Sequence, residues 1–301
     1  MRAAVELAGS SAENRRGIGF MLAAMTVFAV QDGLSRHLAE AANPVFVVAI
    51  RYWALTVFLL AFAARRPGGI RATARTARPL LQIGRGVLLA FEVIVTVWVF
   101  TRLGLAAAHA IFAIYPLLVL ALSVPILGER VGWRRAGAVV AGFLGVLVIL
   151  RPGLGVVQPA ALVALGAALL FAVYGVLTRL AARHDRAETS FFWTGIAGAA
   201  FMTAVVPFWW SGLQGSDWIL MAILCVTGAT GHFLLIKAYE AAEAGVLQPF
   251  SYVQLVLAFA IGAAVFGDAV DGWMIAGTAI IVAAGIYAFW RERRIAARQR
   301  A

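Results

Sequence analysis

The sequence predicts an all-α membrane protein with ten transmembrane helices, arranged as two inverted five-helix repeats around a central cavity, with both termini in the cytoplasm. Three observations favour this fold class. Of the 301 residues, 63% are hydrophobic and only 13% are charged, which is about half the charged share of a soluble domain. Apolar runs follow one another along the whole chain, and one segment of the first half recurs in the second half. A soluble enzyme is excluded, because it would need a polar surface.

Ten apolar runs are long enough to form membrane helices, since about 20 apolar residues cross roughly 30 Å of hydrocarbon. They are Gly17–Ala39, Pro44–Ala64, Pro79–Thr101, Leu105–Leu127, Trp133–Leu150, Pro159–Ala181, Thr189–Trp210, Asp217–Tyr239, Val246–Gly267 and Trp273–Trp290. The longest connection is the arginine-rich stretch around residues 67–78. Because no connection is long enough for a soluble domain, the function must lie within the helices.

These runs divide the chain into five parts. They are a cytoplasmic N-terminal tail (1–16), a first repeat (17–150), a linker (151–158), a second repeat (159–290) and a basic cytoplasmic tail (291–301). The first tail ends in Arg15 and Arg16, which predict a charge anchor for an uncleaved first helix. A twin-arginine export signal is the alternative.

The distribution of basic residues predicts the orientation. Of the 25 lysines and arginines, 20 fall in segments on the side of the N-terminus, and only Arg36, Arg102 and Arg151 fall on the other side. The remaining two, Arg51 and Arg85, lie within spans. Because basic loops stay in the cytoplasm, both termini are expected there, in the inner membrane of a bacterium. The net charge of +11 therefore reflects membrane orientation, and no nucleic-acid partner is expected.

An internal repeat relates the two halves. The segment Phe28–Arg36, FAVQDGLSR, recurs as FAVYGVLTR at Phe171–Arg179, with five of nine positions identical. Leu127-Gly128-Glu129 and Trp133 recur as Phe266-Gly267-Asp268 and Trp273, and Gly137 and Gly145 recur as Gly277 and Gly285. Since each repeat holds an odd number of helices, the second copy enters the membrane from the opposite face. Inverted repeats of this kind are typical of secondary transporters.

The motif set also resembles a known family. Pro116, the Leu127-Gly128-Glu129 segment and the two following glycines, together with their second-half echo, resemble the EamA-type members of the drug/metabolite transporter superfamily. Within it the chain resembles exporters of aromatic amino acids. The resemblance implies a cavity lined by helices one, three, four, six, eight and nine. The second half departs from the pattern, because Asp268 replaces the glutamate and its proline is Pro249 rather than a residue at Leu255.

Polar residues inside hydrocarbon are costly, so they indicate a hydrated cavity or a partner. The candidate substrate-binding residues are Gln31, Ser35, Glu92, Thr96, Trp98, His109, Tyr115, Tyr174, Thr178, His232, Gln248 and Tyr252. Gln31 with Ser35, and Tyr174 with Thr178, form equivalent polar stripes in the two repeats, for which helix-packing hydrogen bonds are the alternative.

Three further charged or titratable residues have structural alternatives. Glu92 either serves the cavity or pairs with Arg51 or Arg85. Asp32 lies four residues before Arg36, which is expected to neutralise it. His232 either couples transport to protons or stays neutral within the core.

We therefore expect a secondary transporter that moves small amphipathic metabolites, such as aromatic or other amino acids, outward by alternating access. The alternative is an intramembrane enzyme for a lipid substrate, with Glu92 and His109 as its acid and base. The chain carries no P-loop, zinc-binding or dinucleotide motif and a single cysteine, so no catalytic residue, cofactor or metal is expected. The expected partners are a small-molecule substrate and membrane lipid, with a homodimer possible through the small-residue faces of helices five and ten.

Overall fold

The computed structural model describes residues 2–128, 133–151 and 159–298, and these residues contain helices but no strand. Seven helices have the length and hydropathy to cross a membrane, and three apolar helices are shorter. In chain order the elements are α1 (Arg2–Ala41), α2 (Pro44–Ala64), α3 (Gly69–Ala74), α4 (Pro79–Phe112), α5 (Tyr115–Leu127), α6 (Trp133–Leu150), α7 (Pro159–Ala181), α8 (Ala187–Val205) with a 3-10 turn (Val206–Trp209), α9 (Asp217–Ala241), α10 (Ala244–Phe266) and α11 (Gly272–Arg298). The prediction of an all-α membrane protein is confirmed.

Local sequence signals explain where several helices begin and end. The Asn43 side chain accepts a hydrogen bond from the backbone N–H of Phe46 at 2.9 Å, and Pro44 follows as the first helical residue of α2, a favourable helix start. Gly128 and Gly267 end α5 and α10 in the left-handed conformation, with φ of 72° and 67°. The glycine of the repeated Leu-Gly-Glu and Phe-Gly-Asp motif is therefore a helix C-cap. Glu129 lies outside the described residues.

The structure divides the predicted fourth span. Gly104 has φ of 80° and ψ of 169° and breaks α4 near one end of the bundle. The chain turns again at Ala113 and Ile114, just before Pro116, because proline lacks a donor N–H and its ring clashes with the carbonyl four residues earlier. The predicted span Leu105–Leu127 is thus formed by the last turns of α4 and the separate helix α5. Irregular backbone at membrane depth is tolerated where it borders a cavity or protein.

Helix packing follows a paired pattern. α1 packs against α9 and α10, and α7 packs against α4 and α5. α2 packs against α8, and α6 packs against α11. The α6 and α11 helices run antiparallel, because a methyl group on Gly145 would lie 2.7 Å from the Gly277 carbonyl, while Arg151 lies near Trp273. Part of the small-residue faces assigned to dimerisation is therefore used for packing within the chain. The homodimer stays a prediction.

Candidate functional site

A small cavity lies in the middle of the bundle. Its walls come from α1, α2, α4, α7, α9 and α10, and its volume is about 40 Å³. The lining residues are Phe28, Gln31, Asp32, Arg51, Glu92, Val93, Thr96, Val97, Phe100, His109, Phe112, Phe171, His232 and Gln254. We call this the central cavity. The family resemblance implied a cavity lined by predicted spans one, three, four, six, eight and nine. These spans lie in α1, α4, α5, α7, α9 and α10, so five of the six helices that line the cavity were expected. The sixth, α2, contributes Arg51.

Asp32 joins three helices at the edge of the central cavity. Its Oδ2 atom lies 3.1 Å from Nε2 of His109 and accepts a hydrogen bond from Nε2 of Gln254 at 2.7 Å. The expected neutralisation of Asp32 by Arg36 is wrong, because Arg36 instead contacts Glu40 at 2.9 Å and Asp268 at 2.6 Å. The Asp32 carboxylate is therefore directed into the protein.

Glu92 and Arg51 lie in the same cavity without forming a direct ion pair. Glu92 is 2% exposed and accepts a hydrogen bond from the hydroxyl of Thr96 at 2.5 Å. The Arg51 guanidinium donates to Ser35 Oγ at 3.5 Å, a long contact. Within the described part of the chain, no carboxylate lies within 4.0 Å of Arg51, and neither Arg51 nor Arg85 bridges to Glu92. The expected alternative of a Glu92 salt bridge is therefore not formed.

Two more polar groups of the cavity have unused hydrogen-bonding atoms. Among the described residues, Oε1 of Gln31 and Nδ1 of His232 are buried and lack a hydrogen-bond partner. Buried polar atoms are normally paired, so each such atom calls for an explanation. Gln31 Oε1 and the Arg51 guanidinium approach the same face of Gly228, at which a methyl group would lie 3.3 Å and 3.1 Å from them. These atoms are available to a polar ligand in the cavity.

Aromatic rings form the remaining walls. Phe28 lies 4.9 Å from the ring of His232, and Phe100 stacks on His109 at 5.3 Å between ring centres. Phe112 lies 5.6 Å from Phe171. The cavity thus combines flat apolar faces with a few charged groups, a composition typical of sites for small organic molecules.

A second polar cluster surrounds Arg85, which is completely buried. Its guanidinium donates to Gln82 Oε1 at 2.9 Å and to the hydroxyls of Tyr174 and Thr178 at 3.2 Å each, and it also contacts the Ser190 carbonyl. This Arg85 cluster ties α4 to α7 and α8. It lies outside the central cavity, and its hydrogen bonds connect three helices.

Asp185, in the connection before α8, extends the Arg85 cluster to the bundle surface. Its carboxylate accepts hydrogen bonds from Gln82 Nε2 at 2.8 Å and from the Ala77 backbone N–H at 3.1 Å, and it contacts the Thr76 hydroxyl. Partial burial by itself would raise the pKa of Asp185, but these hydrogen bonds outweigh burial and lower the pKa below its ordinary value. The carboxylate is therefore charged at neutral pH, and it connects the segment before α8 to the segment before α4 and to Gln82.

The structure brings five of the predicted site residues into the central cavity: Gln31, Glu92, Thr96, His109 and His232. Ser35 is buried beside Arg51. The others lie elsewhere, each with its own contacts: Tyr174 and Thr178 in the Arg85 cluster, Tyr115 near Met25 and Phe171, Gln248 against Tyr239, Tyr252 near Ile281, and Trp98 beside Arg102. The two polar stripes therefore do not share one cavity.

Sequence reasoning missed Asp32, Arg51 and Gln254 as cavity residues. All three were visible as polar residues within apolar runs, but Asp32 and Arg51 were assigned structural partners. Gln254 stands on a different face of α10 from Gln248 and Tyr252, and the structure turns that face toward the cavity. A charged residue inside a span is a functional candidate by default, and that rule alone identifies Asp32 and Arg51.

Glu92 and His109 are not hydrogen-bonded to each other in the central cavity. Within the described ranges, no group of three or more histidine, cysteine, aspartate or glutamate side chains is placed to hold a metal ion. Glu92 is hydrogen-bonded to Thr96 and His109 contacts Asp32. The two residues proposed for the enzyme alternative thus have separate partners.

Comparisons with known proteins agree with this architecture. A solved crystal structure superposes with a TM-score of 0.68 at 21% identity, over 94% of this chain and 99% of that chain. This chain is 25% identical to an S-adenosylmethionine uptake transporter of Rickettsia felis (94% of this chain, 95% of the relative) and 32% identical to a riboflavin transporter of Rhizobium johnstonii (74% of each). It is also 25% identical to a pseudopaline exporter of Pseudomonas aeruginosa, over 90% of this chain and 95% of the relative.

The family model for EamA-like transporters matches the chain twice, at residues 15–151 and 158–290. The two matches together cover nearly all of the apolar spans. This result agrees with the resemblance inferred from the repeated glycine motif and with the multi-pass helical structure. The chain belongs to the EamA-like transporter family and is a multi-pass membrane transporter.

Proposed function

We propose that this transporter carries a small metabolite that combines an α-amino-acid group, a second positive centre and a flat ring. The observation that carries the proposal is the charge set of the central cavity. One guanidinium, that of Arg51, shares the cavity with the carboxylates of Asp32 and Glu92. The Arg51 guanidinium would bind a carboxylate of the solute, and the Asp32 and Glu92 side chains would bind two positive groups of the solute.

Burial makes these charges informative. A charged side chain in the middle of a membrane costs about 2.5–3.5 kcal/mol on insertion scales, and more when it is unpaired. Among the described residues, Glu92 accepts one hydrogen bond, from the Thr96 hydroxyl, and Arg51 makes one long hydrogen bond, to Ser35. A zwitterionic solute would supply opposite charges to both. This would offset the burial cost only while the solute is bound.

The relatives support a ring-bearing substrate. Two of them are named for S-adenosylmethionine and riboflavin, and both molecules contain a flat heteroaromatic ring. S-adenosylmethionine also carries an amino-acid group and a positive sulfonium, which fit the charge set. The Phe28, Phe112 and Phe171 rings would stack on the ring system. Aromatic amino acids share part of this chemistry, and the same assay tests them.

Movement by alternating access is supported by signs of an inverted repeat. The family model matches the two halves separately. The contacts of α1 with α9 and α10 correspond, under the sequence repeat, to those of α7 with α4 and α5. The antiparallel α6 and α11 fit ten crossings in two halves related by an axis in the membrane plane. The basic-residue count supports cytoplasmic termini in a bacterial inner membrane.

The volume of the central cavity sets a requirement for transport. About 10–15 Å³ is needed for one water molecule on this kind of measure, so 40 Å³ accommodates a few waters and no amino acid. The helices must therefore separate around the site when the solute binds. The relatives include both uptake transporters and an exporter, and the outward direction expected from the sequence stays a prediction.

The test is a flux assay with the full chain in proteoliposomes, using labelled S-adenosylmethionine, phenylalanine and riboflavin in parallel. We expect S-adenosylmethionine flux above that of empty vesicles. Glu92→Gln should lower this flux roughly ten- to a hundredfold, the effect of one lost charge-assisted contact, and should affect phenylalanine less. Arg51→Gln should lower the flux of both S-adenosylmethionine and phenylalanine, because both solutes carry the carboxylate that Arg51 would bind.

The matched controls are Glu13→Gln and Arg102→Gln, which make the same changes outside the central cavity. Both should transport like the parent protein. Flux of riboflavin without flux of S-adenosylmethionine or phenylalanine would contradict the proposal, because the protein would then recognise the ring and not the charged groups. Equal losses in the controls and the cavity variants would show that the cavity charges have no specific role.

A further inference from the structure

A second, larger apolar recess lies on the side of the bundle, between α2 and α9. Its volume is about 460 Å³, within the range of roughly 300–1,000 Å³ usual for small-molecule sites. Its walls include Leu55, Phe58, Phe62, Cys225, Ala229 and Phe233. We call this recess the α2–α9 groove.

One mouth of the α2–α9 groove is marked by cations. The Arg66 guanidinium lies 4.6 Å from the ring centre of Phe62, and Lys237 Nζ lies 5.9 Å from that of Phe233. Arg65 follows directly at the end of α2. In the topology proposed above, this mouth lies at the cytoplasmic headgroup level, since α2 ends in the basic 65–78 connection.

The charges at this mouth are not fully neutralised. Lys237 is held by Glu188 at 3.2 Å and Glu240 at 2.9 Å. Across the part of the chain that the structure describes, no carboxylate lies within 4.0 Å of Arg65 or Arg66. Arg66 is attracted by the Glu188 carboxylate from beyond salt-bridge distance, and Arg65 donates a hydrogen bond to the Ala61 carbonyl at 3.3 Å. The three cations at this mouth outnumber the two carboxylates that face them, so the groove ends at an excess of positive charge. Basic pockets between helices on the cytoplasmic side suit anionic lipid headgroups.

We propose that the α2–α9 groove is a binding site for an anionic phospholipid of the cytoplasmic leaflet. One acyl chain lies along the groove against the Phe58 and Phe233 rings, and the phosphate contacts Arg65 and Arg66. The deep end of the groove, at Leu55, Cys225 and Ala229, is shared with a small pocket that also contains Arg51 and His232. The bound chain therefore supports the outer wall of the central cavity.

Lipid binding can be measured without any transport assay, so its outcome is separate from that of the proposed substrate. The full chain is released from nanodiscs containing equal phosphatidylglycerol and phosphatidylcholine, and retained lipid is weighed by native mass spectrometry. We expect preferential retention of phosphatidylglycerol. Arg66→Gln should lower that preference about fivefold, the effect expected for one surface cation. Arg71→Gln, the same change in the same connection but away from the groove, should leave it unchanged.

A second measurement locates the acyl chain. Phosphatidylglycerol with a photoreactive group in its chain should label α2 and α9 at the groove, and Ala229→Trp, which fills the groove, should abolish that labelling. Equal retention of both lipids, equal effects of Arg66→Gln and Arg71→Gln, or labelling elsewhere would overturn the proposal. Displacement of the label by the transported solute would also overturn it, because the groove would then be a side entrance for substrate.

Discussion

At Gly104, where α4 is broken, Asp268 connects α4 to α1 and to the end of α10. Replacing Gly104 with alanine tests how much this three-helix contact contributes to stability. Asp268, just after α10, places its carboxylate against Gly104, where it accepts hydrogen bonds from Arg36 at 2.6 Å and from the Ala106 backbone N–H at 3.1 Å. Because the helix restarts after the break, the N–H of Ala106 has no helical partner on the preceding turn. Asp268 therefore caps the second part of α4.

The cost of Gly104→Ala follows from this geometry. The φ of 80° with ψ of 169° lies in a region that is essentially restricted to glycine, and strain there costs about 1–3 kcal/mol. A methyl group would also lie 2.6 Å from Asp268 Oδ1, so the carboxylate must move. Loss of one hydrogen bond to a charged group adds about 1.5–3 kcal/mol. We expect a total destabilisation of about 2.5–6 kcal/mol.

The assay is thermal unfolding of the purified protein in detergent. A loss of this size should lower the Tm by roughly 10 °C for a chain of this length. Gly84→Ala is the matched control, because Gly84 lies in the same helix and a methyl group there meets nothing within 4 Å. It should be neutral or slightly stabilising. A Tm for Gly104→Ala within two degrees of the parent value, or an equal decrease in Tm for Gly84→Ala, would refute the claim that the Gly104 conformation and the Asp268 cap stabilise this contact.

Three further predictions concern other parts of the bundle. Asp185→Asn should lower the free energy of unfolding by about 1 kcal/mol at neutral pH. Because hydrogen bonding lowers the pKa of Asp185, the carboxylate stabilises the protein above about pH 4, and this stabilisation is lost as the pH falls through the lowered pKa. The Tm values of parent and variant, measured over a pH series, should therefore converge in acid. Gly145→Leu should separate α6 from α11, since even a methyl group would lie 2.7 Å from the Gly277 carbonyl, and should reduce folded yield in size-exclusion chromatography. Tyr252→Phe should leave flux unchanged, because the hydroxyl is directed to the Ile281 carbonyl at 3.4 Å and not into the central cavity; slower flux would return Tyr252 to the site.

The sequence predicted the position of several long helices well, because hydrocarbon thickness fixes their length. The count of ten membrane helices stays a prediction, since seven helices of the described residues are long and apolar enough to cross a membrane. The bounds of α2 and α7, Pro44–Ala64 and Pro159–Ala181, agree with the predicted runs at both ends. Proline and polar residues mark those ends in the sequence. The turn at Ala113 and Ile114 was missed, because apolar residues continue through it and hydropathy does not distinguish a bent segment from a straight one.

The central cavity was harder to predict, because side-chain partners depend on how helices rotate against each other. Asp32 and Arg36 are spaced for a helical ion pair, yet Arg36 turns toward Asp268, 232 positions away. Asp268 lies against Gly104, where α4 is broken, and accepts a hydrogen bond from the Ala106 backbone N–H. His109 is the neighbour of Asp32.

The two repeats also use their equivalent polar residues differently. Ser35 contacts Arg51, which comes from α2 of the same half, whereas Thr178 contacts Arg85, which comes from α4 of the other half. Arg51 has one long hydrogen bond and borders the central cavity, while Arg85 is surrounded by acceptors and is sealed within the protein. An arginine without strong partners remains available to a ligand, so Arg51 is the cation that we propose binds the solute. Both arginines belong to the first half, but Ser35 contacts the one that borders the central cavity and Thr178 contacts the one that is enclosed by acceptors. Equivalent sequence positions in the two repeats therefore do not have equivalent partners.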